Sequence, residues 1–179
     1  EKNFIDIKSG LVDAFERIDN LQKNGGRLRG ITTGFRQLDN VLGGLQKSDM
    51  IVLGARPSIG KSSLALDIAR QTALNGNKVA IFSLEMSTDQ LVDRFIAAEA
   101  NVDLWKIRTG ILSSHGELND YALLRDALTR LSETKIFIDD TPGLTALQIR
   151  TKARRLMSEQ GLDLIIIDYL QLIGTSSNY

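Results

Sequence analysis

Residues 51–63, Ile51-Val52-Leu53-Gly54-Ala55-Arg56-Pro57-Ser58-Ile59-Gly60-Lys61-Ser62-Ser63, constrain the fold more than any other stretch. A short apolar run rich in β-branched residues leads into a loop of Gly, Pro and Ser. The loop opens onto Leu64-Ala65-Leu66-Asp67-Ile68-Ala69-Arg70, whose apolar residues recur at helical spacing. Strand, turn and helix with Gly-Lys-Ser at the turn form the setting of a phosphate-binding P-loop. Backbone N–H groups at a helix N-terminus converge on one spot, and the helix dipole favours an anion there. Lys61 is expected to reach the β- and γ-phosphates of a nucleotide, and Ser62 to ligate Mg²⁺. One position departs from the common pattern. Where a glycine usually stands, five residues before Gly60, this chain has Ala55. The turn then requires that Ala55 avoid positive φ.

The rest of the composition narrows the class. A chain of 179 residues accommodates one domain with a small extension. Lys plus Arg and Asp plus Glu number 22 each, so any surface for a polyanion has to be a local patch. Cysteine is absent, which excludes a disulfide framework and a thiolate metal site. No apolar run reaches membrane-spanning length and the N-terminus does not read as a signal peptide, so a cytoplasmic protein is expected.

From about Ile7 to Gln22 the spacing of Leu11, Phe15, Ile18 and Leu21 predicts an amphipathic helix, stopped by Asn24-Gly25-Gly26. Periodicity leaves two destinations open for its apolar stripe, the chain's own core or a neighbouring subunit. Residues 27–49, with Gly30, Thr32-Thr33-Gly34 and Gly43-Gly44, read as turns around one short helix leading into the P-loop strand. Buried strands are expected at Val79–Leu84, Lys135–Ile138 and Leu164–Ile167. Helices are expected at about 88–100, 117–132 and 145–160, the last with Leu147, Ile149, Ala153 and Leu156 inward and Arg150, Lys152, Arg154 and Arg155 outward. Trp105 is expected in the core. Apolar strands alternating with helices imply an α/β fold, a mainly parallel sheet covered on both faces.

Asp168 ends the last apolar strand. In P-loop proteins a carboxylate at such a strand end helps hold Mg²⁺, although many strands end in Asp merely to cap the next turn. Hydrolysis also needs a group to orient or deprotonate water. The residue after Asp168 is Tyr169, so the base has to come from elsewhere, and Glu85 is the candidate. Strand C-termini in a parallel sheet gather on the ligand-binding edge, which puts Glu85 with Lys61 and Asp168. Its plainer role is an acidic partner for the following helix. Asp139 and Asp140 reach the same edge, where ordinary capping chemistry competes with function. His115 reads as a loop histidine. The Arg150/Lys152/Arg154/Arg155 face suits either solvent or a phosphate backbone.

Read together, Gly54-Ala55-Arg56-Pro57-Ser58-Ile59-Gly60-Lys61-Ser62, Ile81-Phe82-Ser83-Leu84-Glu85-Met86-Ser87, Ile138-Asp139-Asp140-Thr141-Pro142 and Ile166-Ile167-Asp168-Tyr169-Leu170-Gln171-Leu172-Ile173 resemble the DnaB family of bacterial replicative helicases, from about Thr33 onward. Ala55 is what this family shows. The resemblance implies a RecA-like ATPase domain over residues 27–179 behind a linker helix and glycine hinge over 1–26. It implies a ring-shaped homo-hexamer that moves on single-stranded DNA, with ATP and Mg²⁺ at subunit interfaces. It implies phosphate and Mg²⁺ binding by residues 55–63 (Ala55, Arg56, Pro57, Ser58, Ile59, Gly60, Lys61, Ser62 and Ser63), Glu85 as catalytic base, Asp168 as the Walker B residue, and a nucleotide contact from Arg94. The helix at about 7–22 resembles the linker that docks on the adjacent subunit.

Relatives of this kind carry DNA-contacting loops, a γ-phosphate sensor and an arginine finger downstream, and an N-terminal domain that binds primase in many bacteria. The present sequence runs to Tyr179. An arginine finger contributes several orders of magnitude in rate, so these residues alone are expected to bind ATP, hydrolyse it poorly and not unwind DNA, with primase and loader meeting other regions. A RecA or clock-type ATPase, a P-loop small-molecule kinase and a nucleotide-dependent assembly module are the competing readings. The Asp-Tyr-Leu-Gln-Leu and Ser-Leu-Glu-Met runs favour the helicase over the first, and no lid of arginines supports the second.

Overall fold

The computed structural model describes residues 6–23, 30–114 and 119–174. The elements in order are α1 (Ile7–Lys23), α2 (Arg36–Leu42), α3 (Lys61–Leu74), β1 (Lys78–Ser83), α4 (Thr88–Ala100), α5 (Leu104–Thr109), α6 (Asp120–Ser132), β2 (Lys135–Asp139), α7 (Ala146–Glu159) and β3 (Leu164–Asp168), then a short 3₁₀ turn at Leu170–Leu172. The three strands form a parallel sheet in the order β2-β1-β3. β1 is central and buried on both faces, which is why its sequence is a nearly unbroken apolar run.

Strand alternation divides the sheet's side chains between two layers. Val79, Ile81, Ile138 and Ile166 pack with Leu66, Ala69 and Ala73 of α3 and Leu91 and Phe95 of α4. Ala80, Phe82 and Ile167 face the other way, against Leu144 and Ile149, Ala153 and Leu156 of α7. A third cluster of Ala100, Val102 and Ala127, with Ile107, Leu112 and Leu124, joins α4, α5 and α6. The two-sided parallel α/β arrangement agrees with the sequence.

Four details differ from it. Residues 51–54 form no strand: they make no ladder bonds, and Ile51, Val52 and Leu53 are 54%, 68% and 41% exposed. An apolar, β-branched run becomes a strand only where a neighbouring backbone pairs with it, and the described sheet ends at β3. Trp105 is 59% exposed, because α5 is short and turns Ile107, not the indole, into the third cluster. Leu147, in the first turn of α7, is also exposed, while Ile149 and Ala153 are buried as expected. The helix expected from residue 117 begins at Asp120. His115 and residues 116–118 lie outside the described residues, as does the Asn24-Gly25-Gly26 stop.

Behind α3, residues 30–45 make a small buckle. Ile31 and Leu45 pair in an antiparallel bridge, with both backbone N–H···O bonds at 2.8 Å. The chains approach so closely that a Cβ on Gly30 would lie 2.4 Å from the Leu45 carbonyl oxygen. Buried Asp39 accepts from Thr32 Oγ1 (2.5 Å), Thr33 N (2.8 Å) and Thr33 Oγ1 (2.7 Å). Thr72 Oγ1 of α3 donates to the Thr32 carbonyl at 3.0 Å, which ties the buckle to the helix that begins at Lys61. On another side of that helix, Glu99 of α4 accepts from Arg70 of α3 and Arg130 of α6. α1 carries its stripe in the open, with Ile7 75%, Leu11 60%, Phe15 74% and Ile18 61% exposed.

Candidate nucleotide site

The loop before α3 turns sharply at two left-handed positions. Ser58 (φ 64°) and Gly60 (φ 102°) lie in the left-handed region, a conformation that Gly60 takes without a Cβ penalty. Ala55 is not among the positive-φ residues, so the condition that its side chain imposes is met. Gly60 is the N-cap and Lys61 the first residue of α3, and no side chain caps this end. Its first N–H groups therefore lack intrahelical acceptors and point outward with the positive end of the dipole. Residues 51–60 are all exposed, Ser63 is exposed, and Lys61 and Ser62 are half-buried.

β3 delivers Asp168 to this helix end. The Asp168 side chain is 11% exposed, and its Oδ1 lies 3.0 Å from Lys61 Nζ. Lys61 Nζ also sits 4.1 Å from the centroid of the Tyr169 ring, a cation–π distance. The strand register brings the remaining edge residues together. Ser83 pairs with Asp168 and Phe82 with Asp139, and Leu84 N donates to the Asp168 carbonyl at 2.8 Å. Glu85 comes next in the chain and is exposed. Lys61, Asp168 and Glu85 thus lie along one edge of the parallel sheet.

Asp139 and Asp140 divide their work. Lys152 Nζ donates to Asp139 Oδ2 at 2.6 Å, and Thr141 N donates to Oδ1 at 3.1 Å. Burial raises the Asp139 carboxyl, and the bonds from Lys152 and Thr141 outweigh it, leaving the pKa below the usual carboxylate value. Asp140 Oδ2 accepts from Thr88 N at 2.7 Å, and that bond lowers its pKa. Asp140 therefore caps α4, a helix 52 positions away in sequence, where the sequence suggests only local capping. Arg94 lies on α4 with its Nε buried and without a hydrogen-bond partner. No hydrogen bond or ion pair joins it to Lys61, Glu85 or Asp168 among the described residues. Sequence reasoning also misses the Tyr169 ring, which it registers only as a departure from glutamate.

No group of three or more His, Cys, Asp or Glu side chains able to hold a metal occurs among the described residues. One buried carboxylate beside a serine and an open helix end suits a cation shared with phosphate oxygens and water. The uncapped N–H groups and Lys61 form a donor set that fits a phosphorylated ligand.

Residues 30–179 match the family described as the DnaB-like helicase C terminal domain. The chain belongs to that family. It is 47% identical over 174 residues to the replicative DNA helicase DnaB of Geobacillus stearothermophilus. It is 46% identical over 174 residues to the replicative DNA helicase DnaC of Bacillus subtilis. Each alignment covers 97% of this chain and 37% of the relative, so the chain spans little more than a third of the length of these DnaB-family proteins. A solved structure described as an ATPase domain superposes with a TM-score of 0.86 at 28% identity, over 99% of this chain and 62% of that one. A DnaB-like replicative helicase, whose structure is described with its interactions with primase, gives 0.82 at 28% identity over 100% and 42%. The fold is that of a RecA-like helicase ATPase domain. No described helix of this DnaB-family chain is long and apolar enough to cross a membrane.

Proposed function

We propose that this chain is the ATP-binding and hydrolysing motor domain of a hexameric replicative DNA helicase, a cytoplasmic enzyme that translocates on single-stranded DNA and unwinds the duplex. The observation that carries the reading is the meeting of Lys61 with Asp168 at the uncapped N-terminus of α3. Residues 55–63 would cradle the phosphates of ATP through backbone N–H groups and Lys61, with Arg94 as a further contact. Ser62 and Asp168 would hold Mg²⁺, which supplies charge neutralisation on the transferred phosphoryl group. Glu85 is exposed, lacks a hydrogen-bond or ion-pair partner among the described residues, and stands on the same edge. In this reading it accepts a proton from water and orients it.

Residues 1–26 serve as the linker and 27–179 as the ATPase domain. The exposed stripe of α1 supports docking on an adjacent subunit, since an unburied amphipathic face of this size calls for a partner. Single-stranded DNA, primase and a loader are proposed partners of the whole protein, and the helicase–primase structure that this chain resembles supports the second.

ATP turnover of the whole protein, wild type and Glu85→Gln, with and without single-stranded DNA, tests the reading. General-base loss predicts a fall of roughly 10²–10⁴-fold in turnover, with ATP binding retained. Equal turnover in the two proteins contradicts the assignment.

A further inference from the structure

The turn that presents Glu85 is anchored along its whole length by groups other than Glu85. Leu84 N is bonded to the Asp168 carbonyl at 2.8 Å, so the turn starts from the same strand end as the buried carboxylate. Ser83, 2% exposed, closes the middle: its hydroxyl donates to the Met86 carbonyl at 2.6 Å and accepts from Met86 N at 3.2 Å. The far end is the start of α4. Ser87 stands at the N-cap but makes no side-chain cap bond. Thr88 N–H, an orphan donor of the first turn, goes to Asp140 Oδ2 at 2.7 Å. That bond crosses from the end of β2, where Asp139 is already occupied by Lys152 and Thr141. Phe82 pairs with Asp139, so Asp140 leaves its strand beside the point where β1 turns toward Glu85.

We infer that Asp140 is a positioning residue for Glu85. Its carboxylate caps α4 from a separate strand and fixes the end of the turn that aims the Glu85 side chain at the Lys61–Asp168 edge. The inference rests on the reading of Glu85 as the base. A carboxylate at a helix start also interacts favourably with the dipole, so the contact combines a hydrogen bond with charge complementarity. With the ends and middle of the turn held, the Glu85 backbone is fixed while its side chain stays available.

The test compares wild type, Asp140→Ala and Asp140→Asn in the whole protein by amide hydrogen exchange and by steady-state ATP turnover, with Glu85→Gln run in parallel. Loss of a cap predicts roughly tenfold faster exchange over residues 85–90 in Asp140→Ala, with α3 and α7 unchanged. It also predicts kcat lowered with KM for ATP within about twofold, because only the transition-state alignment is disturbed. Asn caps helices about as well as Asp, so Asp140→Asn restores both quantities toward wild type. Unchanged exchange at 85–90, a uniform rise across α3 and α7, or an Asn variant no better than Ala overturns the inference. Turnover that survives Glu85→Gln removes the base assignment itself. Turnover lost in Glu85→Gln but unchanged in Asp140→Ala removes only the positioning role.

Discussion

Lys61 Nζ and Asp168 Oδ1 lie 3.0 Å apart, joining the first residue of α3 to the last residue of β3. The lysine is held from a second side by the Tyr169 ring at 4.1 Å. The side chains are 28% and 11% exposed, so the pair is only partly screened by solvent. A cation at the helix start and a carboxylate at the strand end supply the two opposite charges that a magnesium–phosphate ligand needs.

Asp168→Asn keeps the side-chain volume and removes the charge. Loss of a carboxylate that acts on magnesium, directly or through water, predicts on the order of 10–100-fold weaker magnesium dependence of ATP binding. A magnesium titration at fixed ATP reads it, and an unchanged midpoint would contradict the metal assignment.

Asp39→Asn probes the buckle behind α3. Burial raises the Asp39 carboxyl, while bonds from Thr32 Oγ1, Thr33 N and Thr33 Oγ1 outweigh it and hold the pKa below the ordinary 3.8. A depressed folded-state pKa contributes stability that is present above the unfolded value and lost as pH falls through the folded one. At neutral pH the variant is expected to lose about 1–3 kcal/mol, since donors that met a carboxylate now face an amide. Below about pH 4 the wild type gives up its advantage, so urea midpoints of the two proteins should converge. A gap that stays constant with pH would refute the linkage.

Glu99 is the buried link among α3, α4 and α6, its side chain 8% exposed between Arg70 and Arg130. Glu99→Ala leaves Arg70, whose side chain is only 13% exposed, with Asp67 at 3.2 Å as its remaining carboxylate, and Arg70 Nε already lacks a partner. Loss of one carboxylate partner of a mostly buried guanidinium costs about 1–3 kcal/mol, read as a lowered urea midpoint. A midpoint within experimental scatter of wild type would show that the link contributes nothing.

Two glycines give opposite expectations. An alanine Cβ at Gly30 would lie 2.4 Å from the Leu45 carbonyl oxygen, whereas one at Gly54 meets nothing within 4 Å. Overpacking against backbone costs roughly 1–3 kcal/mol, so Gly30→Ala should lower the thermal midpoint and Gly54→Ala should leave it unchanged. Equal effects would contradict the close approach of residues 30 and 45.

Much of the fold is legible in the sequence because it depends on local patterns. The apolar runs of Lys78–Ser83 and Leu164–Asp168 announce parallel strands, although only the first is buried on both faces and Ile165 of the second is exposed, and the parallel order then carries Glu85 and Asp168 to one edge. The amphipathic period of α1 is equally plain, although the period does not say that its stripe lies exposed. The features that escape depend on partners distant in the chain. Ile51-Val52-Leu53 looks like a strand, but strand identity belongs to a pair of backbones. Trp105 invites a core assignment by residue type, while its exposure depends on which side of a six-residue helix faces α4 and α6. Asp140 capping Thr88, and Glu99 joining Arg70 to Arg130, connect residues with no periodic relation.

The most direct test of the central claim is calorimetric titration of the wild type and Lys61→Ala with Mg·ATP. A nucleotide site at the start of α3 predicts saturable single-site binding by the wild type. Loss of a charge-assisted phosphate contact worth about 1.5–3 kcal/mol predicts affinity lower by roughly 10–150-fold in the variant. Equal affinity in the two proteins, or no binding by a folded wild type, would contradict it.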